Sequence, residues 1–196
     1  MVRTLIKLFL SLVIIFFVFP TPAYAHLIGG NGFASGLTHP LLGLDHLLAM
    51  IAVGIIATQT GGKTTWIVPS TFLIFMVIGG LLAIIGLKVP LVETGIALSV
   101  LIFGALMTLS KKLPTHLAVL CVAIFAFFHG HSHGEEMPMI ANQVLYITGF
   151  IFSTALLHAM GVLIGYSARK TNLTLKMLRF SGAAISFAGI CFLFAL

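Results

Sequence analysis

A chain of 196 residues that is 60% hydrophobic and only 7% charged, with a mean hydropathy of +1.19, cannot be an ordinary soluble domain, in which about a quarter of residues are charged. Its formal net charge of +6 sits on lysines and arginines scattered at segment ends, with no basic run interleaved with aromatics, so nucleic acid is excluded as a partner and the charges read as topology signals. Cys121 and Cys191 stand alone in apolar runs without a CxxC partner, which makes them packing residues and leaves no disulfide or thiolate site to expect.

The chain opens on a basic start (Arg3, Lys7), an apolar core from Leu8 to Phe19, helix-breaking Pro20 and Pro22, and Ala23-Tyr24-Ala25. This pattern predicts a secretory signal peptide over residues 1–25, whose cleavage leaves His26 as an external N-terminus able to chelate through its amine and ring. An uncleaved first span is the alternative. Apolar stretches long enough to cross about 30 Å of hydrocarbon follow from Leu41 to Thr60, Trp66 to Leu87, Pro90 to Ser110, Thr115 to His129, Val144 to Ser167 and Met177 to Leu196. The expected fold is therefore all-α, a polytopic membrane protein with six transmembrane helices after a cleavable signal peptide, forming one domain over residues 26–196.

The loops that alternate to the cytoplasmic side carry Lys63, Lys111, Lys112, Arg169, Lys170, Lys176 and Arg179, whereas the outer loops carry Lys88 alone. The positive-inside rule thus agrees with the signal peptide: both termini of the mature chain are expected outside. Gly161 and Gly165 form a GxxxG that would let helices approach closely.

At the mouth of the first span, His39 to Met50 reads HPLLGLDHLLAM. On one continuous helix His39, Gly43, His46 and Met50 fall within an arc of roughly 60°, with Asp45 about 100° to the side. Ionisable groups are costly in a membrane span and mark function by default. Imidazole, carboxylate and thioether together describe a borderline divalent cation such as nickel, copper, zinc or iron, and make calcium and magnesium poor candidates. The plainer alternative has Pro40 as a first-turn proline, His39 as a cap, and Asp45 paired only with His46.

A second polar cluster, FHGHSHGEE from Phe128 to Glu136, ends the fourth span at the same outer face. His129, His131 and His133 would all face one ion on an extended loop, whereas on a helix only His129 and His133 share a face. Histidines this close to Glu135 and Glu136 are a strong metal signal. Glu93, just inside the third span, either draws a cation inward or pairs with Lys88. His158, deep in the fifth span, is core packing or a relay ligand. His116, at the cytoplasmic start of the fourth span, reads as interfacial.

These two motifs resemble the signatures of the HupE/UreJ family, membrane permeases associated with nickel supply to hydrogenase and urease. His39, Pro40, Gly43, Asp45, His46 and Met50 match the first motif; Phe128, His129, Gly130, His133, Gly134 and Glu136 match the second, with Ser132 where alanine is usual. The signal peptide and six spans match as well, so the resemblance covers essentially the whole chain. It implies secondary transport of Ni2+ or Co2+, the ion being the transported substrate, with no permanently bound cofactor and no enzyme activity.

The expected metal residues are His39, Asp45 and His46 as core ligands, His129 and His133 as an outer gate or second site beside Glu136, and Met50, Glu93 and His158 as steps along a path. The expected partners are a divalent metal ion, the lipid bilayer and, indirectly, a nickel or cobalt enzyme; nucleic acid is not among them, and a homo-oligomer remains open. No GxxxxGK[ST] phosphate loop occurs, so ATP hydrolysis is not expected. The membrane potential, about 2.3 kcal/mol per elementary charge per 100 mV, is the natural driving force. Two rivals are an intramembrane metal-dependent hydrolase, with Glu136 or Asp45 as base but without HExxH, and a metal sensor or accessory subunit that transports nothing.

Overall fold

The computed structural model describes residues 32–110, 112–137 and 142–196; the expected signal peptide, its cleavage site and His26 lie outside them. Among the described residues the chain forms seven α-helices: α1 (Gly32–Leu42), α2 (Leu44–Thr60), α3 (Thr64–Ile84), α4 (Val92–Leu109), α5 (Thr115–Glu135), α6 (Gln143–Ala168) and α7 (Asn172–Ala195). The expectation of an all-helical membrane protein is met. Helices α3 to α7 are each long and apolar enough to cross a membrane, and α1 with α2, counted as one bent span, makes six. Helix is the only regular structure here because a bilayer offers no water to satisfy backbone groups, so each span must satisfy them internally.

Two boundaries differ from those expected. The first span is not one helix from Leu41 to Thr60: it breaks at Gly43, where α1 meets α2 at an angle of 82°. Gly43 adopts an extended conformation, with φ −86° and ψ 114°, as the N-cap of α2; with no side chain, it leaves the space that the turn requires. The fourth span does not stop near His129 but stays helical to Glu135. The other ends follow local signals. Gly61 and Gly62 take positive φ after α2, and the side chains of Asn142 and Thr171 cap α6 and α7 by accepting from the N–H groups of Leu145 and Thr174.

Helix α2 lies at the centre. It is buried without interruption from Leu48 to Gln59, as expected of a helix that is apolar all round, and packs against α3, α4 and α6. Around it, α3 pairs with α5, α4 with α7, and α1 with α6. Small residues set the closest approaches: a Cβ on Gly161 would run into the Ile51 carbonyl of α2, and one on Gly165 into Thr58. The GxxxG is thus a packing face against α2. Trp66, Ile74, Leu120, Phe180 and Phe187 remain exposed on the outside of the bundle, where lipid tails would cover them. At the end bearing the basic loops, Arg169 donates to the Thr58 carbonyl (2.8 Å) and Arg179 to that of Thr108 (2.9 Å), so these cations also complement the C-terminal ends of α2 and α4.

Candidate metal centre

The break at Gly43 decides the geometry of the site. On a straight helix His39 and His46 would stand about 10 Å apart along the axis. With the 82° bend, both meet the same imidazole of α5: ring centroids are 4.7 Å apart for His39 and His133 and 4.0 Å for His46 and His133. The expected single face of His39, Gly43, His46 and Met50 is therefore replaced by two helix ends converging on a third element. Because α5 is helical through this region, His129 and His133 share its inward face, one turn apart, and His129 comes within 4.6 Å of His46. Four imidazoles, from α1, α2 and α5, form one contiguous cluster at the end of the bundle opposite the basic loops.

The hydrogen bonds around these rings fix which nitrogen carries the proton. The Asp45 carboxylate accepts from the backbone N–H of His46 (2.7 Å) and from its Nδ1–H (2.8 Å). The Ser99 hydroxyl donates to the Ile96 carbonyl (2.6 Å), so its oxygen accepts from His129 Nε2–H (2.7 Å). Glu136 accepts from His39 Nε2–H (3.0 Å). His46 Nε2, His129 Nδ1 and both nitrogens of His133 are left buried without a hydrogen-bond partner, the nearest carboxylate oxygen to His133 Nδ1 being that of Glu136 at 4.0 Å. Buried polar atoms normally have partners. An imidazole held through one nitrogen with the other lone pair bare is the arrangement in which histidine binds metals.

His39, His133 and Glu136 offer ligand atoms that all lie within 4.8 Å of one another, a separation one ion could span by taking the place of the proton between His39 and Glu136. Burial acts to raise the Glu136 carboxyl, but the hydrogen bond and charge of His39 outweigh it and hold the group below its usual value, so it stays ionised. Asp45 does pair with His46, as the plainer reading has it, yet that pair leaves His46 Nε2 bare.

The remaining candidates are distributed around this cluster. Glu93, exposed in the first turn of α4, accepts a hydrogen bond from Ser132 (3.4 Å) and makes no ion pair with Lys88 among the described residues. Met50 is fully buried and meets His158 through its carbonyl, which accepts from His158 Nδ1–H (2.7 Å). His158 is joined to the cluster through Phe72, whose ring is 5.7 Å from His129 and 4.9 Å from His158. His131 points away from the cluster: its Nε2–H donates to the Leu87 carbonyl (2.8 Å), tying α5 to the turn after α3. His116 is exposed in the first turn of α5.

Sequence reasoning did not single out Ser99, Phe72, Phe150 or Tyr146 as part of the site. Phe150 lies 4.0 Å from His133, its ring tilted by 58°, and Tyr146, with a buried hydroxyl that lacks a partner, lies 6.0 Å from His39. All four are ordinary constituents of apolar spans, and only their position against a histidine distinguishes them.

The family model described as HupE / UreJ protein matches residues 14–192. A protein described as Protein HupE, from Rhizobium leguminosarum bv. viciae, is 44% identical over 175 residues, which cover 89% of this chain and 91% of that protein. No solved structure matches.

Proposed function

The chain belongs to the HupE/UreJ family, associated with nickel and cobalt uptake for hydrogenase and urease, and on that premise we propose that it imports Ni2+ or Co2+ as a secondary transporter of the inner membrane. The observation that carries the proposal is the set of uncovered imidazole lone pairs on His46, His129 and His133 at one end of the bundle, with the Asp45 carboxylate behind His46 and the Ser99 hydroxyl behind His129. That end would face outward, since the basic loops occupy the other. Both termini of the mature chain would then be external.

In this reading His46, His129 and His133 capture the hydrated ion, His39 and Glu136 bind it at the rim, and Asp45 orients His46 and supplies negative charge. Several weak, mixed ligands suit a cargo that must leave again better than a closed tetrahedral cage. The ion is cargo, driven inward by the membrane potential, and would serve a nickel or cobalt enzyme indirectly. The hydrolase alternative is disfavoured by the same contacts: Asp45 is committed to His46 and Glu136 would be a ligand beside His39, so neither carboxylate is free to act as base. Uptake of 63Ni and 57Co by cells lacking their own importers tests the proposal. Accumulation that depends on the chain is expected; expression without accumulation of either ion would refute it.

A further inference from the structure

We propose that His158 is a second, inner station for the same borderline divalent cation, at the head of a cleft between α3 and α6 through which the ion leaves toward the basic loops. The proposal rests on the outer cluster being a capture site, and it adds where the ion goes next.

His158 lies near the middle of α6 with 2% of its surface exposed. Its Nδ1–H is spent on the Met50 carbonyl, and its Nε2 is buried with no partner. A packing role accounts for the first contact and leaves the second nitrogen unexplained, since an unmet buried acceptor is a standing cost. The polarity repeats that of His46, where Nδ1–H is held and Nε2 is bare, so the ring presents the same kind of ligand atom.

His158 also lines a cleft of about 340 Å³ bounded by Thr65, Trp66, Ser70, Val162 and Leu163. Thr65 belongs to the first turn of α3, beside Lys63, so the cleft runs from the bundle's interior to the basic end. There the hydroxyls of Thr65 and Tyr166 join α3 to α6 (3.3 Å). At its inner end, the Phe72 ring contacts both His158 (4.9 Å) and His129 (5.7 Å) and so links the two histidines. A solitary imidazole, aided by water and the Thr65 and Ser70 hydroxyls, holds a borderline cation more loosely than four clustered rings do. Descending affinity from outer cluster to inner station is what release requires.

The test uses the full chain in proteoliposomes loaded with a nickel-sensitive dye, with Ni2+ binding to the detergent-solubilised protein measured in parallel. His158→Gln keeps a donor for the Met50 carbonyl but lacks the imidazole lone pair. It should slow nickel entry at least tenfold, while tight binding at the outer cluster stays within twofold. Ser70→Trp, which fills the cleft from its exposed rim and leaves His158 in place, should slow entry similarly and decides the matter if His158→Gln does not insert. Entry at the unsubstituted rate in both variants, or in Ser70→Trp alone where His158→Gln is lost, overturns the inner station. If the unsubstituted protein itself failed to admit nickel, the capture reading would fall instead.

Discussion

Asp45 holds His46 by two hydrogen bonds to a single carboxylate oxygen, one from the backbone N–H and one from Nδ1–H, and thereby aims the bare Nε2 of His46 into a cluster that also contains His129 and His133. Removing the charge while keeping the shape, Asp45→Asn, weakens the orientation and basicity of that ring. Nickel affinity should fall about 10- to 100-fold, the range typical when a metal-bound histidine loses its carboxylate partner. Titration of the purified protein with Ni2+ checks this; unchanged affinity would mean that Asp45 does not act on His46.

Gly43→Ala probes the bend. A Cβ at this position would lie 3.1 Å from both Asp45 Oδ1 and His46 Nδ1, and alanine favours a continuous helix over glycine by about 1 kcal/mol. Both effects work against the angle that brings His39 and His46 to the same ring. The variant should insert normally, judged by its thermal transition, yet bind nickel at least fivefold more weakly.

Ser99→Ala removes the acceptor that holds His129 Nε2–H and leaves that nitrogen buried without a partner, at a cost of about 1–3 kcal/mol. The ring can then turn or change tautomer. A loss of about 3- to 10-fold in nickel affinity is expected by equilibrium dialysis, smaller than for Asp45→Asn because the lost acceptor is neutral.

Acid should release the metal. Each imidazole must be unprotonated to offer its lone pair, and metal binding releases protons, so affinity falls as the pH drops from 7.5 to 5.5. Glu136, held below its usual carboxylate value by His39, stays ionised across this window and does not cause the change. Binding measured at pH 7.5 and 5.5 should differ at least tenfold, with the weaker binding at pH 5.5.

Much of this site is legible in the sequence, and the parts that are not have physical causes. His39, Asp45, His46, His129, His133 and Glu136 announce themselves because ionisable groups in apolar spans are rare. The break at Gly43 is hidden, since a lone glycine inside a helical pattern marks a hinge no more clearly than a close contact. FHGHSHGEE is hard to place because its glycines and histidines are weak helix formers; packing of Gly130 and Gly134 against the backbone of α3 keeps it helical. Ser99 and Phe72 carry no signal of their own, because a serine or phenylalanine in a span gains meaning only from the ring it touches. The six apolar stretches were readable from hydropathy, whereas the burial of α2 depends on its neighbours.

The most direct test of the account is 63Ni uptake by importer-deficient cells expressing either His46→Ala or His116→Ala, with membrane insertion verified for both. His46 contributes a bare, buried ring nitrogen to the cluster, while His116 lies exposed at the start of α5. The account predicts that His46→Ala abolishes uptake and that His116→Ala leaves it near the level of the unsubstituted protein. Equal uptake by the two inserted variants would contradict it.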